Sequence, residues 1–187
     1  LGRNLSGMEW AAGIPGTVGG GVVMNAGTRL GEMKDVLGAV DIVNLRGQRV
    51  WVDASTMSFA YRKAILPKGI VVGARVQLTL STREQIEAKT KAYLRYRRTT
   101  QPLSIPNAGS VFKNPPGDSA GRLVEAAGLK GVRVGDAEVS TMHANFIVNR
   151  GSATAAQLLA LIRKVRQTVE RKFGVRLQLE GKVIGEA

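Results

Sequence analysis

Two prolines near the middle of the chain constrain its folding more than any other feature. Pro102 and Pro106 cannot extend a helix, and each disfavours helical backbone at the residue before it. A basic helix that begins at the capping signal of residues 82–85 is therefore predicted to end at about Arg98. On length alone, a chain of 187 residues is one large domain or two small ones. The break places the internal boundary near residue 100.

The first half of the chain contains many glycines and several short apolar runs. Residues 7–31 are rich in glycine and other small residues, which indicates loops and turns. Apolar runs at 39–45, 48–52 and 69–80 are predicted to be strands. We therefore expect a mainly antiparallel sheet up to about residue 80.

The second half is predicted to alternate loops with helices. Asp118 is predicted to cap a short helix that runs to Ala127 and is closed by Gly128. Residues 146–149 are predicted to form a buried strand, and residues 175–179 a closing strand. Helices packed against short strands are thus expected on this side of the boundary.

The longest helix signal lies near the end of the chain. Thr154 and Gln157 form a capping box, and Gly174 is predicted to end the helix. Five apolar residues between them recur at spacings of three or four, which predicts one stripe that faces the core. The five are Leu158, Ile162, Val165, Val169 and Phe173.

The composition narrows the possible chemistry. The sequence has no cysteine and one histidine, His143, which excludes thiolate metal sites, a cysteine nucleophile and a multi-histidine metal site. No run reaches the roughly 18 apolar residues of a membrane helix. The net charge of +13 favours anionic ligands, whether nucleic acid, acidic lipid or phosphorylated small molecules. Aromatic residues make up only 5% of the chain, too few to indicate a base-stacking platform.

Two segments of the first half could bind an anion. The glycine-rich loop at 13–21 lacks the lysine of a P-loop and the strand-to-helix setting of a dinucleotide fingerprint, but its amides could cradle a pyrophosphate. Arg62, next to Tyr61, could clamp a carboxylate or a phosphate. A structural turn would explain the glycine-rich loop equally well, and a solvated strand edge would explain Tyr61 and Arg62.

Two segments of the second half could move a proton. Ser110 lies in one loop with Lys113 and Asn114, where its hydroxyl could act as a donor. A nucleophile elbow is excluded, because the glycine that such a motif needs two positions later is absent. Glu180 follows the predicted closing strand among apolar neighbours, a setting that can perturb a carboxyl pKa. A plain turn and a solvated terminal carboxylate are the alternatives, and none of these segments decides the function by itself.

Taken together and in order, the motifs of this chain resemble one family across essentially its whole length. They are SGMEWAAGIPGTVGG at 6–20, MNAG at 24–27, YR at 61–62, QPL at 101–103, AGSVFKNP at 108–115, VSTMHA at 139–144, FIVN at 146–149 and the closing segment with Glu180. The sequence resembles the UDP-N-acetylenolpyruvoylglucosamine reductase family. It is most similar to the shorter subtype, because no long insert separates Tyr61 and Arg62 from the Gln101 loop.

The resemblance implies an α+β fold with two kinds of domain. Residues 1–98 would be most of the second domain of an FAD-binding fold of the vanillyl-alcohol-oxidase type, without the FAD subdomain that normally precedes it. Residues 99–179 would be an α+β substrate-binding domain, and residues 180–187 a C-terminal segment with the catalytic glutamate. The chain is thus expected to be an N-terminally truncated member.

The activity implied by the resemblance is a two-step reduction in peptidoglycan precursor synthesis. NADPH, as co-substrate, would reduce a prosthetic FAD, and the flavin would then pass a hydride to UDP-N-acetylglucosamine enolpyruvate. A proton added at the carbon that bears the carboxylate would complete UDP-N-acetylmuramate. The implied setting is the bacterial cytoplasm, with a UDP-sugar as partner, no nucleic acid, no membrane and a monomeric state.

The resemblance also assigns roles to individual residues. Ser110 would be the proton donor, Arg62 the cation at the substrate carboxylate, and Glu180 the carboxylic acid that helps to bind or protonate the enolate. The implied substrate contacts are Tyr61, Arg98, Asn114 and His143. The implied cofactor contacts are Gly13, Ile14, Pro15, Gly16, Thr17, Val18 and Gly19.

Two departures from the family pattern bear on these roles. Gly181 and Lys182 stand where the family usually has a β-branched residue and then arginine, which loosens the strand end that should hold Glu180. Ala64 stands where the family often has serine.

Two other functions stay open. One is a binding protein for nucleic acid or acidic surfaces, whose affinity would fall steeply with salt. The other is an FAD enzyme of the same broad fold with a different substrate.

Overall fold

A computed structural model, in which residues 2–185 are described, divides the chain into two units, Leu1–Tyr96 and Arg97–Ala187. The division falls within the helix Arg83–Thr100, close to its C-terminal end. Leu1 and the last two residues of the predicted 180–187 segment lie outside the described residues.

The first unit is built mainly from short antiparallel strands. Its elements are β1 (Leu5–Ser6), α1 (Val18–Val23), β2 (Gly27–Thr28), β3 (Gly31–Glu32), β4 (Leu37–Asn44), β5 (Arg49–Asp53), β6 (Ser58–Ala60), β7 (Lys63–Ile65), β8 (Gly69–Val76), β9 (Thr79–Leu80) and the start of α2 (Arg83–Thr100), with 3₁₀ turns at Glu9–Ala11, Met33–Asp35 and Ala54–Thr56. The central sheet has the order β5-β4-β8 and is antiparallel throughout. The predicted antiparallel sheet is therefore confirmed. The predicted run 69–80 forms two strands, because β9 leaves this sheet to pair with β1.

The glycine-rich stretch contains a helix that the sequence analysis placed among loops and turns. Thr17 caps α1, since its hydroxyl accepts a hydrogen bond from the Gly20 amide at 3.1 Å. A Cβ added at Gly19 would lie 3.1 Å from the Val71 carbonyl oxygen. The glycine lets α1 pack closely against β8. Apolar side chains from this helix and the sheet then share one core, whose buried members are Trp10, Val22, Met33, Val36, Leu37, Val40 and Ile42.

The second unit packs two helices against an antiparallel sheet. Its elements, after the end of α2, are β10 (Asn107–Ser110), α3 (Ala120–Ala126), β11 (Arg133–Val134), β12 (Ala137–Val139), β13 (Phe146–Asn149) and α4 (Ala155–Phe173). The sheet order is β10-β13-β12-β11. α4 packs on β11, β12 and α3, so the buried faces of both layers form a single core.

The ends of α4 form as predicted, whereas its buried face differs from the predicted stripe at two positions. Thr154 and Gln157 make a reciprocal capping box, and Gly174 ends the helix at a φ of +69°. Leu161 is fully buried although it is not on the predicted stripe. Phe173, the last residue of the predicted stripe, is 39% exposed.

Two smaller predictions in this unit are wrong, and one at the start of α2, in the first unit, is confirmed only in part. Ser119, not Asp118, caps α3, since the Ser119 hydroxyl accepts the Arg122 amide while the Asp118 carboxylate binds the Arg122 side chain. The segment 175–179 forms no continuous strand and makes one bridge, from Leu179 to Phe112. The capping box at 82–85 is half formed, because the Gln85 side chain accepts from the Ser81 hydroxyl.

Candidate functional site

Ser110 is the last residue of β10, at an irregularity in the strand. Ser110 pairs with Phe146 of β13, and the register shifts between Asn107 and Ser110. Gly109 adopts a φ of +81°, and its amide donates to Asn107 Oδ1 at 3.0 Å. A left-handed residue of this kind favours glycine. The irregular strand end leaves Ser110 on the wall of a cavity of about 370 Å³.

The backbone that follows Ser110 is fixed by one buried amide side chain. Asn145 Oδ1 accepts from the Phe112 amide at 3.0 Å, and Asn145 Nδ2 donates to the Phe112 carbonyl at 2.8 Å. The Val111 amide donates to the Asn145 carbonyl at 2.9 Å. Because Asn145 is only 4% exposed, water does not compete for these bonds. The sequence analysis missed this residue.

Glu180 is attached to the same stretch from the other side. Its amide donates to the Val111 carbonyl at 2.9 Å, and the Lys113 amide donates to the Gln178 carbonyl at 2.8 Å. The backbone of Glu180 is thereby paired with the residue next to Ser110. The fold therefore brings the backbone of residue 180 next to the backbone of residue 111, although Ser110 and Glu180 are 70 positions apart in sequence. Gly181 has open space around it, since a Cβ there would meet nothing within 4 Å.

The same cavity brings together Ser110, Asn114 and His143. Asn114 Oδ1 accepts from the Ala120 amide at 3.0 Å, which ties the loop to the start of α3. His143 is half-buried, with its ring edge-on to Phe146 at a centroid distance of 4.9 Å. Three of the residues predicted to contact or protonate the substrate are therefore neighbours in this unit.

The environment of His143 favours its neutral form. Burial, with a smaller contribution from the positive charge of Lys130, lowers the pKa of His143 below its ordinary value of 6.5. His143 Nδ1 accepts from the Asn145 amide at 3.2 Å. The ring proton of the neutral form is therefore on Nε2, where it can be donated to a ligand.

The cavity wall also carries a cation that the sequence analysis did not select. Arg122 of α3 lines the cavity and binds the Asp118 carboxylate, with Nε to Oδ1 at 2.6 Å. This side-chain bond holds the pKa of Asp118 at about 2. The sequence signal that could have identified this pair is the spacing of four residues between Asp118 and Arg122 at the start of a helix. The wall thus combines two hydroxyls, two amides, an imidazole, a paired guanidinium and the carboxylate of Glu125.

Tyr61 and Arg62 form the two-residue turn between β6 and β7. Ala60 pairs with Lys63, which leaves the two residues at the tip of the ribbon. Arg62 has a φ of +55°, and its guanidinium carbon lies 5.0 Å from the centroid of the Tyr61 ring. Ala64, one of the departures from the family pattern, pairs with Phe59 within the same ribbon.

The predicted cofactor contacts lie on the approach to α1. Gly13 and Gly16 adopt φ values of +74° and +130°, and a Cβ at Gly16 would meet nothing within 4 Å. The first amides of a helix have no carbonyl partner inside the helix and point outward along its axis. Gly16 therefore presents open backbone just before α1, whereas Gly19 is packed against β8.

The remaining predicted contact, Arg98, lies in the last turn of α2 beside Arg97 and is exposed. Among residues 2–185 there is no group of three or more His, Cys, Asp or Glu side chains that could hold a metal ion. None of the described helices is long and apolar enough to cross a membrane.

Comparison with known proteins identifies consistent relatives. Residues 101–184 match the family model of the UDP-N-acetylenolpyruvoylglucosamine reductase C-terminal domain. The chain is 51% identical to UDP-N-acetylenolpyruvoylglucosamine reductase 2 of Symbiobacterium thermophilum, over 98% of this chain and 60% of that protein. It is 52% identical to the reductase of Anaeromyxobacter sp. strain Fw109-5, over 97% of this chain and 57% of that protein.

A solved structure gives the same result. The crystal structure of UDP-N-acetylenolpyruvylglucosamine reductase (MurB) from Thermus caldophilus matches with a TM-score of 0.86 and 45% identity, over 96% of this chain and 64% of that one. The chain thus spans about 60% of the length of the curated relatives that it matches.

Proposed function

We propose, from the premise that this chain belongs to the UDP-N-acetylenolpyruvoylglucosamine reductase family, that it carries the proton-donating part of a reductase for a UDP-sugar enolpyruvate. The reaction is the NADPH-dependent, FAD-mediated formation of UDP-N-acetylmuramate from UDP-N-acetylglucosamine enolpyruvate. The observation that supports it best is the grouping of Ser110, Asn114 and His143 around one cavity, with the backbone of Glu180 paired beside Ser110.

Residues 13–19 fit one part of the proposed FAD. Gly16 offers open backbone that no side chain covers, and the first amides of α1 suit an anionic group such as a pyrophosphate. When bound, FAD supplies the hydride that the substrate receives, and NADPH restores it. We assign residues 1–98 to the flavin-binding domain, 99–179 to the substrate domain and 180–187 to a segment that presents Glu180.

Ser110 is proposed to donate the proton to the carbon that bears the substrate carboxylate. The anion formed after hydride addition needs both a proton and positive charge near the carboxylate. Arg62 is the residue proposed to bind that carboxylate, and Glu180, in its acid form, to stabilise or protonate the enolate. A serine hydroxyl is a weak acid, so the proton transfer depends on the fixed position of Ser110 at the end of β10.

The remaining polar residues are proposed to hold the nucleotide-sugar. Asn114 and His143 Nε2 can donate to phosphate oxygens, and Tyr61 and Arg98 are proposed as further substrate contacts. The net charge of +13 suits a substrate and cofactors that are all anions. We propose a monomer of the bacterial cytoplasm whose partner is the UDP-sugar.

The proposal is tested by NADPH oxidation with the protein encoded by the complete reading frame that contains this chain. The assay is run with and without UDP-N-acetylglucosamine enolpyruvate at fixed ionic strength, and we expect oxidation to depend on that substrate. A yellow, FAD-loaded protein that ignores the substrate would contradict the assigned reaction and favour another FAD enzyme of the same fold. A colourless protein whose affinity for nucleic acid falls steeply with salt would favour the binding-protein alternative.

A further inference from the structure

Asn25 is a fully buried polar residue to which the proposed mechanism gives no role. It is 0% exposed and adopts a φ of +41°, in the left-handed region that asparagine tolerates better than most residues. Its Oδ1 accepts from the Lys34 amide at 2.9 Å. Its Nδ2 donates to Glu32 Oε2 at 2.9 Å and to the Ala60 carbonyl at 3.2 Å. The one acceptor and both hydrogens of the donor are therefore used.

These three bonds join two separate parts of the first unit. Glu32 ends β3 and Lys34 lies in the 3₁₀ turn that follows it, and the two side chains form an ion pair at 2.6 Å. Ala60 ends β6 and directly precedes the turn of Tyr61 and Arg62. Asn25 thus links the base of this turn, across 35 positions of sequence, to the end of β3 and the 3₁₀ turn that follows it.

The position of Arg62 depends on the backbone at this point. A guanidinium at the tip of a two-stranded ribbon moves with any tilt of the ribbon, and the left-handed φ of Arg62 requires support from its surroundings. The bond to the Ala60 carbonyl acts two residues from Arg62, and its donor, the Asn25 side chain, is fully buried.

We propose that Asn25 is a positioning residue that fixes the Tyr61–Arg62 turn through the Ala60 carbonyl. This inference rests on the proposed function, because it concerns the residue assigned to the substrate carboxylate. Asn25 supplies what no other side chain of similar size can: two donors and one acceptor in a plane, on a backbone with positive φ. Aspartate has the same shape and tolerates the same backbone, but it has no donor for the Ala60 carbonyl.

The test uses Asn25→Asp in the protein from the complete reading frame. We expect flavin reoxidation by the enolpyruvyl substrate to slow by about ten- to a hundredfold, the cost of a misplaced binding group, while flavin reduction by NADPH is unchanged. Affinity for the product, UDP-N-acetylmuramate, measured by calorimetry, should weaken in parallel. Unchanged reoxidation and product affinity would overturn the proposal.

A double-mutant cycle separates positioning from general damage. If Asn25 acts through Arg62, Asn25→Asp has no further effect on reoxidation in an Arg62→Gln background. Multiplying effects would show that Asn25 acts by another route and would overturn the inference. If Arg62→Gln itself leaves reoxidation unchanged while the enzyme stays active, the role assigned to Arg62 fails, and this outcome is recognisable without any Asn25 variant.

A second variant controls for instability. Aspartate at position 25 places a carboxylate against Glu32, so Asn25→Asp is combined with Glu32→Gln, which restores a donor–acceptor pair between these two residues but gives Ala60 no donor. We expect the combination to recover melting temperature without recovering the reoxidation rate. Recovery of both would overturn the proposal. Asn44→Asp, at the exposed β4–β5 turn of the same unit, is the matched control and should leave both reoxidation and product affinity unchanged.

Discussion

The two units hold their candidate residues by different structural means. In the second unit, Ser110 ends a strand, and the residues after it are hydrogen-bonded on both sides, to Asn145 and to the segment with Glu180. In the first unit, Arg62 lies at the tip of a narrow ribbon, in a turn with positive φ. The residue that we propose as proton donor is therefore built into a sheet, whereas the residue that we propose to bind the substrate carboxylate is carried on a turn.

Each unit nevertheless has a buried asparagine that bonds the backbone near its candidate residue. The two asparagines differ in how many bonds they make to that backbone. Asn145 bonds both the amide and the carbonyl of Phe112, which is itself a core residue. Asn25 makes one bond to the ribbon that it positions. Loss of the Asn145 side chain should therefore cost folding stability first, and loss of the Nδ2 donor of Asn25 should cost function first.

Replacement of Asn145 by alanine is expected to have the largest effect on stability. It leaves the amide and the carbonyl of Phe112 buried without partners, and each such group costs about 1–3 kcal/mol, so the free energy of unfolding should fall by about 2–6 kcal/mol. Chemical denaturation of the full chain measures this change.

The matched control is Asn107→Ala in the same unit. Asn107 likewise bonds the backbone, donating to the carbonyls of Pro102 and Ile105 and accepting from the Gly109 amide, but it is exposed, so water can replace its side chain. We expect the loss of stability to be clearly smaller, within about 1 kcal/mol. Equal losses for the two variants would contradict the view that burial of the amide is what fixes the strand end.

A smaller effect is expected from pH at His143. The pKa of His143 is lowered from 6.5 by burial and by Lys130, so the folded unit disfavours the protonated ring. The preference of the folded unit for the neutral ring contributes fully to the free energy of unfolding above pH 6.5. This contribution is lost as the pH falls through the lowered pKa. NMR titration of the imidazole, assigned with His143→Gln, should give a value below 6.5.

Lys130→Gln sharpens this test, because it removes the positive charge while leaving the burial of the ring. We expect the pKa of His143 to rise slightly and to stay below its ordinary value, since burial is the larger cause. An imidazole that titrates at or above 6.5 in the unsubstituted chain would show that the ring is solvated and that the cavity wall is open at this point.

Local signals in the sequence predicted local structure well. The capping box at Thr154 and the glycine at 174 gave the bounds of α4, because caps act within one turn of backbone. The choice of Asp118 over Ser119 failed because the aspartate carboxylate is engaged by Arg122 instead. The face of α4 was off at Leu161 and Phe173, since which apolar positions are buried depends on where the partner sheet ends.

The glycine run shows a second limit of the sequence. Three consecutive glycines argue against a helix by propensity, yet α1 forms because close packing on β8 requires residues without a side chain at Gly19. Tertiary packing here overrides the local preference.

The roles of Asn25 and Asn145 could not be predicted from the sequence, and the reason is the same for both. Asn25 bonds Ala60, 35 positions away, and Asn145 bonds Phe112, 33 positions away. Neither partner is a side chain with a recognisable motif; each is a backbone group. Ser110, Glu180 and Arg62 were predicted through a family resemblance, whereas the backbone contacts of the two asparagines are visible only once the chain is folded.

The central claim, that Ser110 donates the proton, is tested most directly by rapid-mixing kinetics on Ser110→Ala in the protein from the complete reading frame. Flavin reduction by NADPH and flavin reoxidation by the enolpyruvyl substrate are measured separately, with the exposed Ser104→Ala as control. We predict unchanged reduction and reoxidation slowed by about 10²- to 10⁴-fold, the usual contribution of a general acid. Equal loss of both half-reactions, or reoxidation at the rate of the Ser104 control, would contradict the assignment.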